Sequence, residues 1–127
     1  MIIADTDVLV DYLRLTVPAA ARVAVLIESG ELCTTAISRY EIASGTHTPR
    51  QFVSVRRLFA LIPTLMLDEK SAERGAEVNR ELQSKGLAIG MADSLIAGIA
   101  LTAKWALLTR NRRHFERIEG LVLAPLT

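Results

Sequence analysis

Residues 1–13, MIIADTDVLVDYL, change character at one position, Asp5. Ahead of it, Met1–Ala4 is an unbroken apolar run, the pattern of a strand buried on both faces of a parallel sheet. Beyond it, Val8, Leu9, Tyr12 and Leu13 fall at helical spacing between Thr6 and Leu15, with Asp7 and Asp11 elsewhere around the wheel. A strand thus gives way to a helix at an acidic residue.

The same alternation recurs downstream. Pro18 suits the first turn of a second helix running to about Ser29, Gly30 ends it, and Leu32–Thr34 reads as a second strand. Ile37 to Gly45 is helical, with Gly45 as the stop. Pro49 opens a helix that Pro63 closes, and Leu65–Leu67 is a short third strand. Glu69–Lys85 is a polar amphipathic helix stopped by Gly86. An apolar helix over Met91–Lys104, a strand at Ala106–Leu108, a basic turn at Arg110–Arg113 and a last strand near Leu121–Leu123 complete the chain. Alternating strands and helices predict an α/β fold, a central parallel sheet covered by helices on its faces. No repeat, low-complexity tract or linker interrupts the 127 residues, so one domain spanning 1–127 is expected.

Composition narrows the function classes. Half the residues are hydrophobic, and 15 Lys and Arg against 14 Asp and Glu leave a net charge of +1. That excludes a polycationic, histone-like mode of nucleic-acid binding but permits a local basic patch. The lone Cys33 cannot form an internal disulfide and reads as a small buried hydrophobe in a reducing compartment. The N-terminus lacks a basic segment followed by a long apolar stretch, so no secretion signal and a cytoplasmic location are expected. The run from Gly86 to Ala103 approaches membrane-spanning length, yet Asp93 lies well inside it. A carboxylate at that depth costs at least roughly 2.5–3.5 kcal/mol, and the run reads as a buried core helix with no membrane role.

The acids carry the chemical information. Asp5 sits where a strand ends, and in open α/β sheets ligands bind outside the carboxyl ends of the strands. Capping of the first helix is the simpler role for Asp5, and the two are compatible. Asp7 and Asp11 stand one turn apart, with Asp11 expected at the surface. Asp93 lies on a helix apolar nearly all round, so its carboxylate must be neutralised, paired or metal-bound. A salt bridge to Lys104 or an arginine is the alternative to a functional role. Glu41 has the small neighbours Ser38, Ser44 and Gly45 on its own helix face, which leaves open space above it. Alone it reads as a solvated acid, and it gains weight as part of a set. Arg110, Arg112, Arg113 and Arg117 form the densest positive cluster, suited to an anionic polymer or simply a solvated loop. Trp105, at a helix–strand junction, reads as core rather than as a base-stacking platform.

Taken together, IIADTDVLVDYL, TAISRYEIASG, GMADSLIAGIA and LLTRNRRHFERI resemble the PIN-domain family, and more narrowly the VapC-type toxins of toxin–antitoxin pairs. The likeness runs from Met1 to about Leu123 in the family's order. Each motif is short, and the specificity comes from finding all of them in sequence. The resemblance implies a PIN-like three-layer sandwich and a divalent-metal-dependent endoribonuclease. Asp5, Glu41 and Asp93 match the acids that bind Mg²⁺ or Mn²⁺. Thr6 and Thr109 match the polar residues flanking that site, and Asn111 matches the asparagine of the T-x-N turn. It also implies an RNA substrate, a VapB-type antitoxin and a homodimer. One position departs from the pattern: His114 stands where the family often places a fourth acid.

The chemistry agrees with that implication. Clustered carboxylates raise one another's pKa unless a cation joins them, and Mg²⁺ takes oxygen ligands while keeping several waters. A metal-activated water can then hydrolyse a phosphodiester, with Arg110, Arg112 or Arg113 holding the RNA backbone. No GxxxxGKS or GxxxxGKT loop is present to support an NTP-driven enzyme. Two other readings stay open: a catalytically weak PIN-fold module that binds RNA or protein, and an aspartate-nucleophile phosphatase built on Asp5 and Asp7. The basic character of TRNRRHF speaks against the phosphatase.

Overall fold

A computed structural model describes residues 1–127. Strand β1 (Ile2–Ala4) leads into α1 (Thr6–Leu13) and α2 (Ala19–Glu28). Strand β2 (Leu32–Thr35) is followed by α3 (Ala36–Ser44) and α4 (Pro49–Leu61). Strand β3 (Thr64–Leu65), α5 (Glu69–Ser84), α6 (Met91–Ala103), β4 (Ala106–Leu108) and a single turn of helix, α7 (Arg112–Phe115), complete the order.

The four strands form one sheet in the order β3-β2-β1-β4. All pairings are parallel, with Ile3 opposite Cys33 on one side and Leu107 on the other. Strand polarity and side-chain alternation split the interior into two cores. Ala4, Leu32 and Leu108 face α1, α2 and α4, joining Val8, Leu9, Val23 and Leu58. Ile3, Cys33 and Leu107 face the opposite way, onto Val78, Leu82, Ile96, Ala97, Ala100 and Phe115. This is the helix–sheet–helix sandwich expected of the alternating pattern. Trp105 is half-buried against the second core. No helix is long and apolar enough to cross a membrane.

Helices α5 and α6 cross in backbone contact. A Cβ on Gly98 would collide with the Ser71 carbonyl oxygen and come within 2.6 Å of the Gly75 nitrogen, and one on Gly75 within 2.8 Å of the Ser94 oxygen. Only glycine permits that approach. It seats the start of α6, and with it Asp93, against the sheet.

Some expected boundaries move. Helix α1 stops at Leu13, and Leu15 adopts a left-handed backbone at φ 59°. The third strand shifts to Thr64–Leu65 because pairing with Thr34 and Thr35 fixes its register, which leaves Met66 and Leu67 exposed. The last strand shrinks to a single bridge between Leu123 and Leu107. Pro125, with no N–H, cannot extend that ladder. The basic turn is partly helical, anchored by the fully buried Phe115.

Candidate metal centre

The chain runs from β1 outward to β2 and β3, then returns to place β4 on the other side of β1. The reversal opens a crevice at the carboxyl ends of β1 and β4, where α/β sheets bind ligands. Asp5 comes directly after β1 and Thr109 directly after β4, so the first residue beyond each strand is buried at the base of that crevice.

Asp5 performs both roles that its position suggests. It is the N-cap of α1, its Oδ1 accepting from the Thr6 N–H at 2.8 Å. Its Oδ2 accepts from the Thr109 hydroxyl at 2.7 Å. The side chain is nearly sealed from solvent, at 5% exposure. Burial, then the neighbouring Asp7 and, more weakly, Asp93 push its carboxyl up to about 7, against the opposing pull of those hydrogen bonds.

On the α3 side, Thr6 Oγ1 donates to Glu41 Oε1 at 2.6 Å and lies 2.9 Å from Ser38 Oγ. Ser38 is fixed in turn by the N-cap of α3, where its N–H donates to Thr35 Oγ1 at 3.1 Å. On the α6 side, Asp93 Oδ2 lies 3.4 Å from both Asn111 Nδ2 and His114 Nδ1. The Asn111 amide also donates to His114 Nδ1 at 2.9 Å. The ring nitrogen Nδ1 thus faces both the Asn111 amide and the Asp93 carboxylate. Neither Lys104 nor any arginine pairs with Asp93. Thr6 therefore touches both Asp5 and Glu41, Thr109 touches Asp5, and Asn111 and His114 both touch Asp93.

The arginines are placed less uniformly. Arg110 grips Asp11 through Nε and Nη2 at 2.5 and 3.3 Å, and its own N–H donates to Asp7 Oδ2 at 3.0 Å. Asp11, expected at the surface, is buried at 7% exposure because this ion pair draws it against the turn. Arg112 donates to the Ala124 carbonyl at 2.9 Å, while Arg113 is exposed.

Asp7 and Ser38 also stand among these groups, although the sequence marks Asp7 only in the phosphatase reading and Ser38 only as a small residue beside Glu41. Asp7 accepts the Arg110 N–H on one oxygen while the other, Oδ1, is buried with no hydrogen-bond partner. Burial is also the largest cause raising its carboxyl above the ordinary range. The signal for Asp7 lies in DTD: a helix residue two places beyond a crevice acid stays near the crevice.

This arrangement fits a hard divalent cation. Its donors are oxygens, Asp5 and Asp7 crowd one another, and Oδ1 of Asp7 is buried without a hydrogen-bond partner, the Arg110 charge offsetting the acids only in part. No three Asp, Glu, His or Cys side chains come close enough together to form a ready-made ligand set, so Asp5, Glu41 and Asp93 flank the site without converging on one point. Mg²⁺ asks for no such set, since it is commonly held by one or two carboxylates and several waters.

Comparison with known proteins places the fold. Residues 2–121 match the PIN domain family. Ribonuclease VapC19 of Mycobacterium tuberculosis is 31% identical over 122 residues, covering 95% of this chain and 97% of that one. The tRNA(fMet)-specific endonuclease VapC of Shigella flexneri is 26% identical, covering 92% and 91%. DNA-bound VapBC from Salmonella typhimurium superposes with a TM-score of 0.88 at 24% identity over 99% of this chain and 98% of that one. That last likeness speaks for the fold, the sequence matches for descent: the chain belongs to the PIN-domain family.

Proposed function

We propose that this chain is a divalent-metal-dependent endoribonuclease, the toxin of a toxin–antitoxin pair, acting in the cytoplasm. The observation that carries the proposal is the carboxylate crowding at the β1–β4 crevice, with Asp5 pushed up to about 7 and Asp7 Oδ1 unpartnered. Asp5, Glu41 and Asp93 would hold Mg²⁺ or Mn²⁺. When bound, the cation supplies an acidified water and offsets negative charge on the phosphate oxygens.

The chain's own residues orient these acids. Thr109 and the Thr6 N–H fix the two oxygens of Asp5, the Thr6 hydroxyl fixes Glu41, and Asn111 fixes Asp93. His114 places an imidazole nitrogen beside Asp93. Arg113, and what remains free of Arg110 and Arg112, supplies positive charge for RNA phosphates at the rim. Control by an antitoxin is supported by the relatives: ribonucleases named VapC, and solved structures of VapBC. A homodimer belongs to the same proposal.

The test is direct. Purified chain is incubated with total RNA in Mg²⁺ or Mn²⁺ and in EDTA, and new 5′ ends are mapped. Cleavage that needs the cation and is silenced by a VapB-type antitoxin supports the proposal. Cleavage that persists in EDTA refutes the metal mechanism, and RNA bound but uncut in Mn²⁺ indicates a binding module.

A further inference from the structure

A groove runs along α1, α3 and α4 and ends at the site. It encloses about 360 Å³, with Thr6 and Glu41 among its lining residues, so it is continuous with the carboxylate cluster. Val10, Leu13 and Val55 give it an apolar wall. Arg14, from the C-terminal cap of α1, and Arg50, from the first turn of α4, give it positive charge. Both arginines are exposed, and neither is paired with an acid.

The basic turn is differently employed. Arg110 is committed to Asp11 and Arg112 reaches the Ala124 carbonyl, so part of that cluster is engaged in holding the fold. Helix α4 carries Arg50, Arg56 and Arg57 with no acid to offset them. The groove that Glu41 helps to line therefore carries positive charge of its own that no acid offsets.

We propose that Arg14 and Arg50 hold the phosphate backbone of single-stranded RNA in this groove, leading the strand past Glu41. The proposal rests on the nuclease reading and assigns its substrate path. Guanidinium groups bind phosphate oxygens in pairs, and the apolar wall suits a sugar or base face. A cleft of this size is at the small end of ligand sites and too small for a duplex.

The experiment separates binding from cleavage. Metal-free protein in EDTA is titrated into a fluorescein-labelled single-stranded RNA and followed by anisotropy at several salt concentrations. Arg14→Ala and Arg50→Ala should each weaken binding by about threefold or more, and the double variant by at least about tenfold. The salt dependence should become shallower with each arginine lost, as phosphate contacts dominate such binding. Arg57→Ala, on the same helix outside the groove, should stay within about twofold. In cleavage assays the arginine variants should raise KM more than they lower kcat. Unchanged RNA affinity and salt slope in a folded double variant overturns the assignment, including the case where the groove takes a protein segment instead. Arginine-dependent binding without cleavage by the unaltered chain keeps the groove assignment and refutes the nuclease reading.

Discussion

Arg110 and Asp11 are 99 residues apart in sequence and joined by two hydrogen bonds, at 2.5 and 3.3 Å. The pair ties α1 to the turn that carries Thr109 and Asn111. It is lopsided, since the Asp11 side chain is 10% exposed and that of Arg110 51%.

That asymmetry predicts unequal costs. Arg110→Ala strands a buried carboxylate, whereas Asp11→Asn leaves an arginine that solvent can reach. A fully buried broken pair costs about 3–5 kcal/mol. Half-exposure of the arginine reduces this to roughly 1–3 kcal/mol for Arg110→Ala, and Asp11→Asn should cost less. Urea denaturation of both variants checks the order, and the reverse order would mean that Asp11 is not stabilised by Arg110.

Asp5 gives a pH signature. Its carboxyl titrates at about 7 in the folded chain and near 3.8 when free. Between those values the folded protein holds a proton that the unfolded chain has lost, so this group favours folding at low pH. Its contribution fades as pH rises from about 4 through 7. The metal-free protein should therefore show a flatter pH profile of Tm as Asp5→Asn, and a higher Tm than the unaltered chain at pH 8. Mg²⁺ or Mn²⁺ should raise the Tm of the unaltered chain at pH 8 and do so less at pH 5, because binding requires the ionised acid. A cation effect independent of pH would remove Asp5 from the metal's ligands.

Asp93→Asn keeps the shape of the side chain and removes its charge. RNA cleavage should fall by at least about tenfold with the fold intact by circular dichroism. Turnover near that of the unaltered chain would make Asp93 a structural partner of Asn111 and His114.

His114 marks the departure from the family pattern. Imidazole is a poor ligand for Mg²⁺ and a better one for Mn²⁺. His114→Asp should lower the Mg²⁺ concentration needed for half-maximal cleavage, and His114→Ala should reduce activity less than Asp93→Asn. An alanine variant as inactive as Asp93→Asn, yet still binding one cation by calorimetry, would give His114 a direct part in the reaction.

The crossing of α5 and α6 admits no added carbon. Gly98→Ala would set a methyl group against the Ser71 carbonyl oxygen and the Gly75 backbone, with no flexible side chain to yield. Overpacking typically costs about 1–3 kcal/mol and occasionally more, and this site belongs at the upper end. Thermal unfolding measures it, and a Tm within about 2 °C of the unaltered chain, well under the shift such a cost implies, would mean that the helices part easily.

Much of the fold is legible because its signals are local. The apolar run before Asp5, the helical spacing after it and the glycine and proline stops fall close to the observed boundaries. Asp93 stands out in the sequence as a carboxylate within an apolar run, whereas the chain places it in the first turn of α6 with its side chain 25% exposed. Features set by contacts between distant segments are not legible. Nothing in the sequence around Asp11 announces Arg110, nor does TRNRRHF show that two of its arginines are engaged. The register of β3 depends on Thr34 and Thr35, so its own residues place it too late. Asp7 reads as one acid on a helix, although its burial comes from the turn after β4 folding over it.

Strand β4 lies beside β1, so the Thr109–Asp5 bond spans 104 residues and closes the crevice from the far end of the chain. On the ribosome, Asp5, Glu41 and their α1–α3 scaffold emerge long before Thr109, Asn111 and His114 exist. Contacts of such long sequence separation form late and slowly. A nascent chain halted within α6 therefore displays half a site, with Asp5 lacking its threonine and Asp93 its asparagine. For the proposed nuclease, the last strand to be made is the one that completes the setting of its acids.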